Sequence, residues 1–248
     1  MKQSHIVLKR TVILVIIVAW IFSGWPQILS FPPKIEKARA AAFANGYSFR
    51  RLIDITDAQV SAGPHTNFPI LVSTTLTDIK TTGNGGDVTD AEGDDIIFTD
   101  SDGTTQLAHE VEKYVATTGE LIAWVRVPSL SATSQVYIYY GNAAITAFQG
   151  NVTSNGVTGV WDANFKGVWH LPNGTTLGAL DSTSNAEHGT ISGTTAASGQ
   201  IDEAASFDGS GNIITMSGVS QIGAGTISAW INPTSLPAST DRDIISTF

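Results

Sequence analysis

Cysteine is absent from this chain of 248 residues. The fold therefore has no disulfide framework, no thiolate zinc site and no thiol nucleophile. Charged residues are also few, at 14% of the chain. Stability must come from hydrophobic cores, and an oxygen-ligated cation is the other means of holding loops in place.

Basic residues are scarce outside the N-terminus. Residues 1–46 hold six Lys or Arg and one acidic residue, a net charge of +5. The remaining seven basic and 21 acidic residues give the rest of the chain a net charge of −14. A region this acidic repels phosphate backbones, which argues against a nucleic-acid partner. Acidic rims can instead collect divalent cations.

The N-terminal segment, residues 1–46, is predicted to be a signal peptide or a membrane anchor. Three basic residues precede residues 11–33, which carry no charge and are mostly apolar. A cleaved signal is indicated by the small-residue patterns Ala38-Arg-Ala40 and Ala42-Phe-Ala44, whereas a retained anchor would use residues 11–33. In both cases we expect the rest to be exported, and to be secreted or at the cell surface.

Helical periodicity is nearly absent after residue 47. Short Val, Ile, Thr and Tyr runs alternate with Gly, Asn, Asp and Ser, which favours strands joined by tight turns. We predict an all-β chain with a compact antiparallel sandwich over residues 47–150. The six strands expected there are Ser48–Ile55, Asn67–Thr74, Asp95–Thr99, Ala108–Tyr114, Leu121–Val127 and Gln135–Tyr140.

Five stretches of this region form a recognisable pattern. They are residues 47–51 (YSFRR), 95–103 (DIIFTDSDG), 107–114 (LAHEVEKY), 123–130 (AWVRVPSL) and 137–142 (YIYYGN). Residues 47–150 thereby resemble the family named domain of unknown function 2341. The resemblance implies an exported prokaryotic protein in which this domain stands beside a laminin-G-like module, and it implies no activity.

The region from residue 160 to 248 carries a second resemblance. Residues 167–171 (GVWHL), 179–191 (ALDSTSNAEHGTI), 200–209 (QIDEAASFDG) and 225–233 (GTISAWINP) resemble the first half of a laminin-G-like, concanavalin-A-type jelly roll. We therefore predict two jelly-roll-like antiparallel sandwiches, the second incomplete. Residues 151–159 are small, polar and turn-rich, and we predict that they form the linker.

The laminin-G resemblance also implies a calcium site at the sandwich rim. Asp181 and Asn185 match the position of its ligands, and their oxygens suit that ion. The alternative is a structural turn, which is the better interpretation for Asp208. We expect His170 and His188 to be packing or surface residues.

No catalytic motif is complete. His109-Glu-Val-Glu-Lys113 lacks the second histidine of a zinc protease and is predicted to be a strand. Glu110 and Glu112 share one face of that strand, so paired glycosidase carboxylates are conceivable, but a solvated strand face is the better interpretation. Asp100-Ser-Asp-Gly103 predicts a tight turn rather than an EF-hand loop. We predict no enzymatic activity.

Three aromatic residues in the second region, Trp169, Phe207 and Trp230, suit either a sugar-stacking surface or a core, and their apolar surroundings favour a core. Together the two resemblances predict extracellular recognition of a glycan or a surface protein. Two alternatives remain open. The chain would be a structural wall or adhesive-fibre spacer, or an accessory module of a larger secreted enzyme.

Overall fold

The computed structural model describes residues 46–55, 60, 63–154, 156–172, 176–216, 218, 224–234 and 245, together with the backbone of residues 38 and 39. The predicted signal or anchor lies almost wholly outside this set. Within the described set, no helix is both long and apolar enough to span a bilayer. Residues 29–225 form one compact unit, and residues 1–28 and 226–248 are assigned to another. The described part of the second unit, residues 226–234 and 245, has no regular secondary structure.

The described secondary structure consists of short antiparallel strands and two single-turn 3-10 helices, Thr77–Ile79 and Thr82–Asn84. The first eight strands are β1 (Ala38–Arg39), β2 (Phe49–Ile55), β3 (His65–Thr75), β4 (Ile97–Asp100), β5 (Gln106–Leu107), β6 (His109–Val115), β7 (Glu120–Leu130) and β8 (Ser134–Tyr140). They are followed by β9 (Thr153–Ser154), β10 (Val157–Thr158), β11 (Gly189–Ser192), β12 (Thr195–Ser198), β13 (Glu203–Ser206) and β14 (Ile213–Met216).

The first eight strands form two sheets that pack face to face. One sheet has the order β1-β2-β8-β4-β5, and the other has the order β3-β7-β6. Phe98 and Ile138 of the first sheet share a single buried core with Leu121 and Val125 of the second. The prediction of an all-β, sandwich-like fold is confirmed. All six predicted strands are present, with ends that differ by up to three residues.

Strand β7 shows why the sequence folds in this way. Its side chains alternate between the two faces of the sheet, and residues 121, 123, 125 and 127 lie in the core. Trp124 and Arg126 therefore point to the outer face. Arg126 is nevertheless completely buried. Another part of the chain must cover the outer face of the three-stranded sheet.

Part of that cover is the segment predicted to be a linker. Arg126 Nε donates to the carbonyl of Gly159 at 2.7 Å, and Nη1 donates to the carbonyl of Ser154 at 3.0 Å and to Asn67 Oδ1 at 3.1 Å. Strands β9 and β10 form a small hairpin within this segment. The segment is therefore held on the sandwich by the buried guanidinium of Arg126. The domain boundaries at residues 150 and 160 stay a prediction.

A second buried charged group, the carboxylate of Asp95, fixes the end of strand β8. Asp95 Oδ2 accepts hydrogen bonds from the Thr89 hydroxyl at 2.6 Å and from the backbone amides of Gly141 and Asn142 at 3.0 and 3.1 Å. These bonds join the loop before β4 to the end of β8. The chain at residues 141–142 is thus anchored to the core.

Two separate two-stranded ladders follow in residues 189–216, β11 with β14 and β12 with β13. Most of their side chains are exposed or half-buried. The expectation that Phe207 and Trp230 are core residues is wrong, because both side chains are about half exposed. Phe207 lies in the turn after β13, and Trp230 lies in a stretch without a strand. The half jelly roll remains a prediction.

Candidate functional site

Strand β6 presents two carboxylates to the outer face of the three-stranded sheet. The register of β6 against β7 shifts between Val111 and Lys113, so Glu112 is the extra residue of a β-bulge. Val111 and Tyr114 on either side of the bulge pack against the core. The bulge thus allows both Glu112 and Lys113 to point outward, in addition to Glu110.

Both glutamates are covered and hydrogen-bonded. Glu110 accepts from the Ser182 hydroxyl at 2.6 Å and from the Trp161 indole at 2.8 Å, and Glu112 accepts from the Trp124 indole at 2.7 Å. Their side chains are 30% and 7% exposed. The expectation of a solvated strand face is therefore wrong for these residues, because residues far along the chain fold back over them.

His170 lies between the two carboxylates. Its Nδ1 is 3.4 Å from Glu112 Oε2, and its Nε2 is 3.6 Å from Glu110 Oε1, which are ion-pair distances longer than most hydrogen bonds. The ring also packs beside Trp124 and Trp161, at centroid distances of 6.1 and 5.8 Å. His170 was predicted to be a packing or surface residue, and its carboxylate partners were not predicted.

We call Glu110, Glu112, Trp124, Trp161, His170 and Ser182 the carboxylate–histidine cluster. Burial alone would lower the pKa of His170, but the two carboxylates outweigh burial and raise it. Burial would likewise raise the pKa of Glu110, yet the interaction with His170 and the hydrogen bonds from Ser182 and Trp161 lower it. The pKa of Glu112 is raised, chiefly by burial and also by the charges of Glu110 and Asp202.

The geometry of the cluster fits a junction better than an open acid–base site. A glycosidase needs room for a sugar between its two carboxylates. Here three of the four carboxylate oxygens accept hydrogen bonds from protein groups, and an imidazole occupies the space beside them. The cluster attaches the covering segment, which we define as residues 156–172 and 176–188, to the outer sheet face.

His109 points in the opposite direction from Glu110. It is completely buried, and its ring stands edge-on to Phe98 and Phe148 at centroid distances of 5.2 and 5.3 Å. Burial lowers its pKa to about 4. The prediction that this segment is a strand is confirmed, and the strand separates His109 from the glutamates that a zinc-protease motif would bring beside it.

Asp181 organises the loop in which calcium ligands were predicted. Its Oδ1 accepts from the amides of Val168 and Thr183, both at 2.9 Å, and its Oδ2 accepts from the Thr183 hydroxyl at 2.8 Å and the Glu187 amide at 3.0 Å. These donors outweigh burial and lower the pKa of Asp181. An ion bound through these oxygens would have to displace donors already in place.

Asn185 lies in the same loop but bonds elsewhere. Its side-chain amide donates to the carbonyls of Phe165 and Lys166 at 3.2 and 3.1 Å. Across the described residues, no group of three or more His, Asp or Glu side chains is arranged to hold a metal ion. Calcium ligation by Asp181 and Asn185 stays a prediction. The Asp208 side chain caps its own turn by accepting from the Ser210 amide at 2.7 Å.

A polar groove of about 430 Å³ opens at one end of the sandwich. It lies between the turn that follows β4 and the turn that joins β7 to β8. Its lining consists of hydroxyl, amide and carboxylate side chains, from Asp100, Ser101, Ser129, Ser131, Thr133, Ser134 and Gln135. None of the described Lys or Arg side chains lines it. The groove was not predicted from the sequence, because a Ser/Thr-rich turn between strands has the same residue pattern with or without a concave surface.

Several of the groove residues are held in place by bonds to one another. The Ser134 hydroxyl accepts from the Ser131 amide at 2.8 Å and donates to the Ser129 carbonyl at 3.1 Å. Gln135 Nε2 donates to Asp54 at 2.5 Å, which orients the rest of its amide. The Asp100 carboxylate accepts from the Ser101 amide at 2.6 Å. Hydrogen bonds therefore orient the side chains of Ser134, Gln135 and Asp100 in the lining.

An aromatic pair stands on the strand beside the groove. Thr66 is directly opposite Ser129 in the β3–β7 ladder. The rings of His65 and Phe68, on the same strand, lie 5.7 Å apart, and Phe68 is 45% exposed. A ring so exposed offers a flat apolar face at this edge of the sandwich.

The fold and these sites define an all-β protein with a polar groove at one end and a buried ionic junction on one outer sheet face. Residues 92–164 match the family described as domain of unknown function (DUF2341). This match supports the first resemblance and extends past residue 150 to include Trp161. No curated protein and no solved structure matches the chain. The laminin-G-like resemblance stays a prediction.

Proposed function

We propose that this chain is an exported prokaryotic surface protein that recognises an extracellular glycan in the polar groove. The observation that supports the proposal is the lining of the groove, in which every side chain carries a hydrogen-bonding group and several are fixed by neighbours. Sugar hydroxyls both donate and accept hydrogen bonds. Serine hydroxyls and a glutamine amide complement them in both roles.

The charge of the groove favours a neutral glycan. Asp100 is its charged side chain, and the chain after residue 46 has a net charge of −14. Uronic acids and sulfated sugars would be repelled. The exposed face of Phe68 adds a surface on which sugar C–H groups can stack.

The N-terminal sequence is the basis for proposing export and a surface location. A cleaved signal and a retained anchor are both compatible with it. The proposal assigns no catalytic step and no nucleic-acid partner. Calcium at Asp181 and Asn185 is a separate proposal that rests on the laminin-G resemblance. A surface protein as the ligand is the alternative within the same class.

An array of neutral, uronic-acid and sulfated glycans, with the exported chain as the probe, tests the proposal. We expect binding to neutral glycans, and a loss of about tenfold or more in Gln135→Ala, which is about 1.4 kcal/mol. Gln149→Ala is the matched control, because its side chain bonds to the carbonyl of Ala147 outside the groove. Equal binding by both variants, or binding confined to acidic glycans, would contradict the proposal.

A spacer function is the second candidate. Arg126 and the carboxylate–histidine cluster fix the covering segment to the sandwich, and such stiffening suits a structural element. A spacer predicts no binding to any glycan on the array, together with one cooperative unfolding step for the sandwich and its covering segment. Loss of the covering segment before the sandwich unfolds would contradict the spacer.

A further inference from the structure

The carboxylate–histidine cluster joins parts of the chain that are far apart in sequence. Glu110 and Glu112 belong to β6, whereas His170 and Ser182 belong to the covering segment. The Ser182 hydroxyl is 72 positions from the Glu110 carboxylate that it bonds. Attachment of the covering segment therefore depends on the charges of a few buried groups.

The charged groups around His170 can be named for each neighbouring element. Strand β6 contributes Glu110 and Glu112, and β7 contributes the uncharged Trp124. The covering segment contributes the indole of Trp161 and the hydroxyl of Ser182, also uncharged. A net negative charge therefore faces the imidazole from the sheet.

The cation that β6 itself carries is paired elsewhere. Lys113 on β6 pairs with Asp202 at 2.7 Å and with Glu120 at 3.4 Å. If His170 is neutral, no charged Lys, Arg or His side chain among the described residues pairs with Glu110 or Glu112 under the covering segment. Buried carboxylates without a compensating charge are strongly unfavourable.

We propose that protonation of His170 controls the attachment of the covering segment to the outer face of the three-stranded sheet. With a charged imidazole, the two carboxylates hold the segment in place. With a neutral imidazole, they repel one another and water enters the junction. This inference goes beyond glycan recognition and does not depend on it.

The direction of the pH response follows from the environment of each group. Because the attached state raises the pKa of His170, its contribution is fully present below the ordinary pKa of about 6.5 and is lost as pH rises through the raised pKa. The raised pKa of Glu112 acts in the same direction. The lowered pKa of Glu110 means that its contribution is lost only in stronger acid. Attachment is therefore tightest at mildly acidic pH.

Amide hydrogen exchange on the full chain reports whether the covering segment keeps the ordered form that it has on the sheet. The amides of Ser182, Thr183 and Glu187 are hydrogen-bonded within the covering segment. We expect their protection, corrected for intrinsic exchange, to fall between pH 6 and pH 8.5. The fall should be about tenfold for each unit by which attachment raises the pKa of His170. Protection in β7 should stay constant.

Two variants separate His170 from other titrating groups. His170→Gln should remove the pH dependence of protection, whereas His65→Gln, which changes a histidine on β3, should retain it. If His170→Gln fails to fold, an NMR titration of the His170 imidazole in the unaltered chain decides the matter. Equal protection at the two pH values, an unchanged response in His170→Gln, or a His170 pKa below 6.5 would each overturn the proposal.

Discussion

The two faces of the three-stranded sheet are both covered, but by different chemistry. The inner face packs Leu121, Ala123 and Val125 against the opposite sheet. On the outer face the later part of the chain covers Arg126 and two glutamates. Arg126 bonds to the backbone carbonyls of Ser154 and Gly159, and the glutamates face Ser182 and His170. Apolar packing does not depend on pH, whereas a buried ionic junction does. One sheet therefore has an apolar contact on its inner face and an ionic contact on its outer face, and only the ionic contact contains groups that titrate.

We expect the largest loss of stability when a core side chain is removed from the inner face. Leu121→Ala removes a completely buried side chain and should lower the free energy of unfolding by about 2–5 kcal/mol. Leu180→Ala is the matched control, since Leu180 is 63% exposed, and it should change stability by less than about 0.5 kcal/mol. Urea unfolding at pH 6 and pH 8 should give the same loss for Leu121→Ala at both values. A loss that varies strongly with pH would remove the distinction between the faces.

Breaking the polar anchor of the outer face should cost somewhat less. Arg126→Met leaves the carbonyls of Ser154 and Gly159 without their donors, and we expect a loss of about 3 kcal/mol. Arg126→Lys keeps the charge but not the fork of donors, and it should recover only part of the stability. Hydrogen exchange should locate the loss in residues 153–159. A loss spread evenly over the core strands would contradict this assignment.

The Asp181 loop tests whether the covering segment is held by its own bonds or by an ion. Asp181→Ala removes an acceptor for four hydrogen bonds, and we expect a loss of about 1–3 kcal/mol without calcium. Thermal unfolding with chelator and with millimolar calcium measures both contributions. The predicted calcium site additionally requires that calcium raise the melting temperature of the parent and not of the variant. An unchanged melting temperature of the variant in chelator would contradict the structural role of Asp181.

We expect the smallest change in stability from Glu112→Gln, which tests whether the outer face depends on pH. Glu112→Gln keeps an acceptor for the Trp124 indole but removes one of the two carboxylates beside His170. At pH 6 we expect a change of about 0.5–1.5 kcal/mol, because a charged hydrogen bond becomes neutral. The variant should also lose less stability than the parent between pH 6 and pH 8.5. Parallel pH profiles for the two proteins would show that Glu112 does not contribute to the response.

The sequence was most informative where alternation alone decides the structure. The period-two pattern predicted the strands that contain Leu121 and Ile138, and the Asp102-Gly103 pair predicted the turn after β4. There Gly103 adopts a positive φ of 69°. Local patterns are sufficient for such features because the chain neighbours set them.

The sequence was least informative where distant residues meet. The sequence showed the two glutamates as a pair, but their burial depends on Trp161 and His170. These residues lie 51 and 60 positions after Glu110. No local pattern encodes such a contact. The apolar surroundings of Phe207 were misleading, because an aromatic residue is buried only where another layer covers it.

The bulge at Glu112 gives β6 two phases. Before it, the even-numbered Glu110 faces outward, and after it the odd-numbered Lys113 does so, while Tyr114 keeps to the core. The strand thus accommodates one extra residue, and the side chains after it still face the same sides of the sheet as their partners on β7. At this position the strand is one residue longer than its partner requires, while the residues after the bulge still alternate between the two faces. Inserting one residue into a regular strand would therefore be enough to place a second carboxylate beside the first.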